Sequence, residues 1–242
     1  MGKSNSEVGD VKNLANYNEA IIIIQGMGTL YNPAIPAIHL NKLLLVNQKA
    51  QVISEEFKTV TPLFKVSIAE RAELYEPLNR LGTRVQNAFK AFRLGNDIND
   101  TMVSLNKKLR GERIVKIKKD KPEDEETATI STAQTSFDNK ASTFDDMIKF
   151  AIANPAYKPN EVELQTATLK QYHTSIMKAN NMASVNSVKL LNARKNRDEL
   201  LYENPDNILE LIRTIKDYLK SLKGAEQYYK KIVKLKFKSK AP

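Results

Sequence analysis

The chain has no cysteine, which excludes disulfides, thiolate metal sites and a cysteine nucleophile. It also lacks tryptophan and has only two histidines, His39 and His173. Eight glycines and nine prolines in 242 residues are too few for an all-β sandwich, which needs a turn signal about every 10 residues. Aliphatic runs are short, as at residues 21–24, whereas a membrane-spanning helix needs ~20 apolar residues. The first ten residues are polar and hold no apolar core of signal-peptide length. With the absence of cysteine, this predicts a cytoplasmic protein.

Acids are in short supply. Lysine and arginine total 38 against 28 acids, a formal net charge of +10. A field of that sign favours acidic partners: nucleic acid, anionic lipid or an acidic protein. Lysine far outnumbers arginine, and arginine makes the commonest specific base contact. A solvated lysine surface is therefore the plainer reading.

Helical periodicity dominates the rest. Leu43, Val46, Ala50, Ile53, Phe57 and Val60 are spaced 3, 4, 3, 4, 3, an a/d stripe of the coiled-coil kind. The stripe recurs 126 residues on as Leu169, Tyr172, Ile176, Ala179, Ala183 and Asn186. Tyr31 and Pro33 match Tyr157 and Pro159 at the same offset, and Tyr75 matches Tyr202 at 127. Val85, Phe92, Met102 and Leu105 pair with Ile212, Leu219, Tyr229 and Ile232, also at 127. The predicted fold is therefore all-α: an elongated helical bundle of two tandem copies with pseudo-two-fold symmetry.

The predicted organisation is a polar tail over 1–16, one unit over 17–118, a charged linker over 119–142, a second unit over 143–238 and a tail over 239–242. Each unit opens with a short helix, at 18–27 or from 143 with Thr143 as its cap. A long helix follows. Pro62 should kink or break the first copy, and the second should run unbroken over 160–203. The next helix begins at Pro77 or Pro205, with Asn204 capping the second, and Gly95 or Gly224 ends it. Its stripe is Leu78, Leu81, Val85, Ala88 and Phe92 in one copy, and Ile208, Ile212, Ile215, Leu219 and Leu222 in the other. The last helices are expected at 97–109 and 225–235. The alternating residues 114–118 and 232–238 could each form a short strand or a basic helix end.

No constellation for catalysis emerges. His39 and His173 have no acid at neighbouring positions of their own helix faces, so no metal site is expected. Asp97 and Asp100 follow Gly95 at a helix start, where capping explains them. Gly26 and Gly28 form a lone G-x-G without a phosphate-loop context. The sequence thus predicts no enzyme and no cofactor.

The candidate contacts for an anion or nucleic acid are basic. They are Arg80, Arg84, Lys90 and Arg93 in the first copy, and Arg213, Lys216, Lys220 and Lys223 in the second, with Lys234, Lys236 and Lys238 near the end. Tyr228, Tyr229 and Phe237 interleave with the last of these, a pattern that serves a nucleic-acid backbone and its bases or anionic lipid. The leading expectation is a non-enzymatic helical scaffold or protein-interaction module, with a protein partner or self-association. The alternatives are a nucleic-acid-associated basic protein and a membrane-active helical bundle of the pore-forming kind, bound peripherally to anionic membrane.

Several stretches also resemble a bacterial family. Thr-Ser-Phe-Asp-Asn-Lys140, Phe-Asp-Asp-Met-Ile148, Pro-Asn-Glu-Val-Glu-Leu164, Ala-Thr-Leu169, Leu-Tyr-Glu76 and the closing Tyr-Lys-Lys-Ile-Val-Lys-Leu-Lys-Phe237 resemble uncharacterised proteins of the Bacteroidota type built from duplicated helical hairpins. The resemblance covers most of the chain. It implies a bacterial origin and a helical-hairpin pattern, and it brings no activity or site residue.

Overall fold

The computed structural model describes residues 5–112 and 136–239. The candidate strand at 114–118, most of the linker and residues 240–242 lie outside them. Among the described residues the protein is all-α, with no strand. The helices are α1 (Asn5–Gln25), α2 (Leu40–Tyr75), α3 (Leu78–Ala91), α4 (Asn96–Arg110), α5 (Phe137–Ile152), α6 (Thr166–Asp198), α7 (Ile208–Ser221) and α8 (Glu226–Lys234). None is long and apolar enough to cross a membrane.

The predicted stripes lie where the periodicity puts them. Leu43, Ala50, Phe57 and Val60 are buried on α2, and Leu169, Ile176, Ala183 and Asn186 on α6. On α7, Ile208, Ile212, Ile215 and Leu219 are buried. Phe92 departs from the pattern: it caps α3 half exposed, and Phe89 is the ring in the core.

Several boundaries need correction. The region expected to be a polar tail is helical, because α1 starts at Asn5. Leu14, Tyr17, Ile21 and Ile24 form one buried stripe at spacing 3, 4, 3, so the amphipathic pattern begins before residue 17. Likewise α5 starts at Phe137. Ser136 caps it by accepting from the Asn139 amide at 3.2 Å, and Thr143 is a buried mid-helix residue. Pro62 does not break α2. It sits on the exposed side, and Thr61 Oγ1 donates to the Phe57 carbonyl at 2.8 Å on the turn before it.

Further on, α6 stops at Asp198 and a π-helical turn, Glu199–Glu203, follows. Helix α7 begins at Ile208 with Asn207 as its cap, its Oδ1 accepting from the Glu210 amide at 3.0 Å. Pro205 and Asn204 lie upstream in the turn. After α3 the left-handed position is taken by Arg93, at φ 53°. Val85 and Phe89 hold the positions in α3 that Ile215 and Leu219 hold in α7, and Met102 in α4 the position of Ile232 in α8. Residues 232–238 divide: the helix ends at Lys234 and the rest is extended without strand pairing.

The chain folds into two compact units that do not coincide with the two sequence halves. One joins residues 1–64 to 187–242, and the other is 65–186. Helix α2 gives residues 40–64 to the first and 65–75 to the second, and α6 is divided in the opposite order. The first core gathers Tyr17, Ile21, Ile24, Leu43, Leu201, Ile212, Ile215 and Ile232. Beside it, Phe57 and Val60 of α2 pack with Leu190 and Ala193 of α6.

The second core gathers Leu78, Phe89, Met102, Leu109, Phe144, Met147, Leu169 and Ile176. Phe89 stacks on Tyr157 with ring centroids 4.3 Å apart. The two units share a loop device. Tyr31 Oη donates to the Ile38 carbonyl at 2.8 Å, and Tyr157 Oη donates to the Leu164 carbonyl at 3.0 Å. Each spans seven residues just before a long helix.

Candidate interaction surfaces

The basic residues singled out in the sequence fall into two groups. Arg80, Arg84, Lys90 and Arg93 are exposed on the second unit, and Arg84 is paired with Glu163. Arg213, Lys216, Lys220, Lys223, Lys234, Lys236 and Lys238 belong to the first unit, and all but Lys216 are exposed. Arg213 pairs with Glu210 at 3.0 Å. Open pairs of this kind contribute little energy. Lys216 Nζ lies 5.7 Å from the centroid of the Phe237 ring. The aromatics interleaved with the lysines are not displayed for stacking: Tyr228, Tyr229 and Phe237 are partly buried against the core of the first unit.

His39 is exposed at the start of α2. His173 on α6 meets an acid after all, Asp145 of α5, with Nδ1 at 3.9 Å from Oδ1. Asp145 also holds Lys149 at 2.5 Å. No group of three or more potential metal ligands exists among the described residues. Asp97 lies in the first turn of α4, where its charge complements the helix dipole, but the N-cap is Gly95 and no side chain caps the helix.

The long helices differ from the short ones in a way that bears on function. Helices α3, α7 and α8 each have one apolar and one polar face, and the apolar face is covered. Helix α6 carries apolar residues outside its buried stripe as well. One face buries Leu169, Ile176, Ala183, Leu190 and Ala193. Outside that stripe Met177, Met182 and Val185 are exposed in the second unit, and Val188 at 55% and Leu191 at 64% in the first. No acid occurs in α6 before Asp198, and Lys170, Lys178 and Lys189 sit among the apolar residues. On α2, Leu45 and Val52 are similarly open and line a shallow groove of about 330 Å³ with Gln48, Lys49 and Ile53.

A buried polar chain runs through the first unit. Arg197, at the end of α6, reaches Asp198 Oδ1 at 2.8 Å and Asp10 Oδ2 at 3.0 Å, and its guanidinium stands 5.2 Å from the Phe57 centroid. Tyr202 Oη donates to the other oxygen of Asp10. Asn13 Nδ2 donates to Tyr202 Oη at 3.2 Å and to the Lys238 carbonyl at 2.8 Å, and Asn13 Oδ1 accepts from the Lys238 amide at 2.9 Å. One helical turn on, Asn16 Nδ2 donates to the Lys236 carbonyl at 2.8 Å. Burial pushes the Tyr202 phenol well above its ordinary range, and the carboxylate it serves adds to the rise. The second unit holds a smaller counterpart. There Asn180 Nδ2 donates to Tyr75 Oη at 2.9 Å and to Asp138 Oδ1 at 3.1 Å.

Sequence reasoning missed Asp10 and Asn13 because they were placed in a tail. The 3, 4, 3 spacing of Leu14, Tyr17, Ile21 and Ile24 was the signal that would have found them. No protein-family model, curated protein or solved structure matches the chain.

Proposed function

We propose that the protein is a non-enzymatic helical interaction module whose contact surface is the exposed apolar side of α6 within the first unit, residues 187–198. One observation carries the reading: Val188 and Leu191 are open to solvent, at 55% and 64%, on the stretch of α6 in the first unit that buries Leu190 and Ala193 on its other side. Large apolar side chains left open together mark interaction sites on soluble proteins. The lysines around it, with no acid before Asp198, favour a protein partner with an acidic rim.

The test is a paired comparison. Light scattering after size exclusion, over a concentration series, reads self-association, and affinity capture reads other partners. The wild type is expected to associate, and a Val188→Asp/Leu191→Asp chain to lose the association with its helical signal unchanged. A wild type that stays monomeric and captures nothing overturns the proposal.

A second reading, association with nucleic acid, draws on the exposed Lys230, Lys231, Lys234, Lys236 and Lys238. Its mark is a binding constant that falls steeply with salt. A gel shift indifferent to salt counts against it.

A further inference from the structure

Burying Arg197 and Asp10 is costly, and a buried ion pair is weak evidence for stability. What their chain of contacts does is fix a single amide. Tyr202, anchored on Asp10, accepts from Asn13 Nδ2 and so settles which way the Asn13 side chain faces. Asn13 then offers a donor and an acceptor side by side, as the edge of a strand does. The main chain of Lys238 takes both. Asn16 repeats half of this on Lys236.

Gly9, Asn13 and Asn16 are spaced 4 and 3 and share one face of α1. Gly9 belongs to the set because a Cβ there would stand 3.1 Å from Lys238 Cδ. The two asparagines hold the main chain of Lys236 and Lys238, and Gly9 makes room for the Lys238 side-chain stem. Leu235 and Phe237 turn toward the core between them, and Lys216 of α7 stands over the Phe237 ring.

We propose that this face of α1 and α7 is a groove that reads an extended peptide of alternating apolar and basic residues. Residues 235–239 fill it in cis, and the same segment of a second copy enters when the resident one leaves. Exchange is built into the arrangement. The segment lies beyond the last helix and forms no ladder, and its two apolar residues are only partly buried. Extended segments held by so few buried contacts open at lower cost than core helices. Main-chain hydrogen bonds serve an incoming segment as well as a resident one. The tether gives the resident segment an effective concentration of order mM, so the intact chain keeps its groove filled.

The experiment uses a labelled, capped peptide of residues 235–239 and reads fluorescence anisotropy. The receiving protein is the full chain carrying Leu235→Ser and Phe237→Ser, which empties both apolar seats of its own tail. That chain is expected to keep its helical circular dichroism and to bind the peptide saturably. The unaltered chain should bind about tenfold or more weaker, because the tethered segment competes. A peptide of the same composition with its two apolar residues adjacent should also lose about tenfold, and so should a receiving chain that adds Asn13→Leu, as expected when two hydrogen bonds go. Three results overturn the proposal: loss of helicity in the Leu235→Ser/Phe237→Ser chain, absence of peptide binding, or equal binding of the rearranged peptide, which would reduce the effect to lysine charge.

Discussion

Gly82 shows how much one residue can decide. It lies inside α3, where glycine is about 1 kcal/mol worse than alanine. Yet a Cβ at this position would stand 2.5 Å from Leu109 Cδ2 and 2.8 Å from Asn106 Oδ1. Both neighbours belong to α4 and are buried, so neither can retreat into solvent. Gly82→Ala is therefore expected to destabilise by about 1–3 kcal/mol in spite of its better helix propensity, read from the midpoint of urea unfolding. A stabilised variant would mean that α4 yields.

At this scale the sequence was legible for apolar residues and opaque for polar ones. The α2 and α6 stripes and the paired Tyr31 and Tyr157 were visible because burial of a repeating type leaves a period. Gly82, Asn13 and Arg197 leave none. Their roles depend on what another element brings to them, and no spacing along one helix encodes that.

Among the elements, the short helices are read best from the sequence and their ends worst. Two rules compete at each end: proline and glycine punctuate, and a side chain with a free oxygen caps. Before α7, Asn207 wins over the upstream Asn204 and Pro205. Asn207→Ala should cost about 1 kcal/mol, measured by chemical denaturation, with the loss concentrated in the amide exchange of α7. An unchanged midpoint would show that the Oδ1 contact is replaceable. Pro62 teaches the reverse lesson. A proline on the exposed side of a long helix forfeits one hydrogen bond, and packing of Phe57 and Val60 just before it keeps the helix whole. The apolar side of α6 on which the proposed function rests was present in the sequence as Val188 and Leu191. No period distinguished it from the covered face, since apolar residues on both sides of a helix cancel each other's pattern.

For the molecule as a whole, the tyrosines set an upper pH limit. Tyr17, Tyr31 and Tyr202 in the first unit, and Tyr75, Tyr157 and Tyr172 in the second, all have phenols raised by burial, Tyr157 to about 12. In the unfolded chain these phenols ionise near 10. Between that value and about 12 the unfolded state holds fewer protons than the folded one, so stability falls as pH rises. The melting temperature should hold below about pH 10 and drop progressively above it, with tyrosinate absorbance lagging behind that of the denatured chain. Simultaneous ionisation of all the tyrosines near 10 in a still-folded protein would contradict the burial. The all-helical class was legible from the scarcity of turn residues. The grouping of 1–64 with 187–242 was not, because the apolar stripes say what must be buried and not which stripe covers which.

That grouping carries a consequence for how the protein is made. Residues 65–186 are contiguous, so this unit can be completed while the ribosome is still translating the remainder. The other unit needs both extremities of the chain. Its opening 64 residues, Tyr17 and the Ile21–Ile24 stripe among them, must wait for the final helices to emerge. A newborn chain therefore leaves this greasy α1 surface uncovered until residues 187–242 are made, and it is where a chaperone would be expected to hold it.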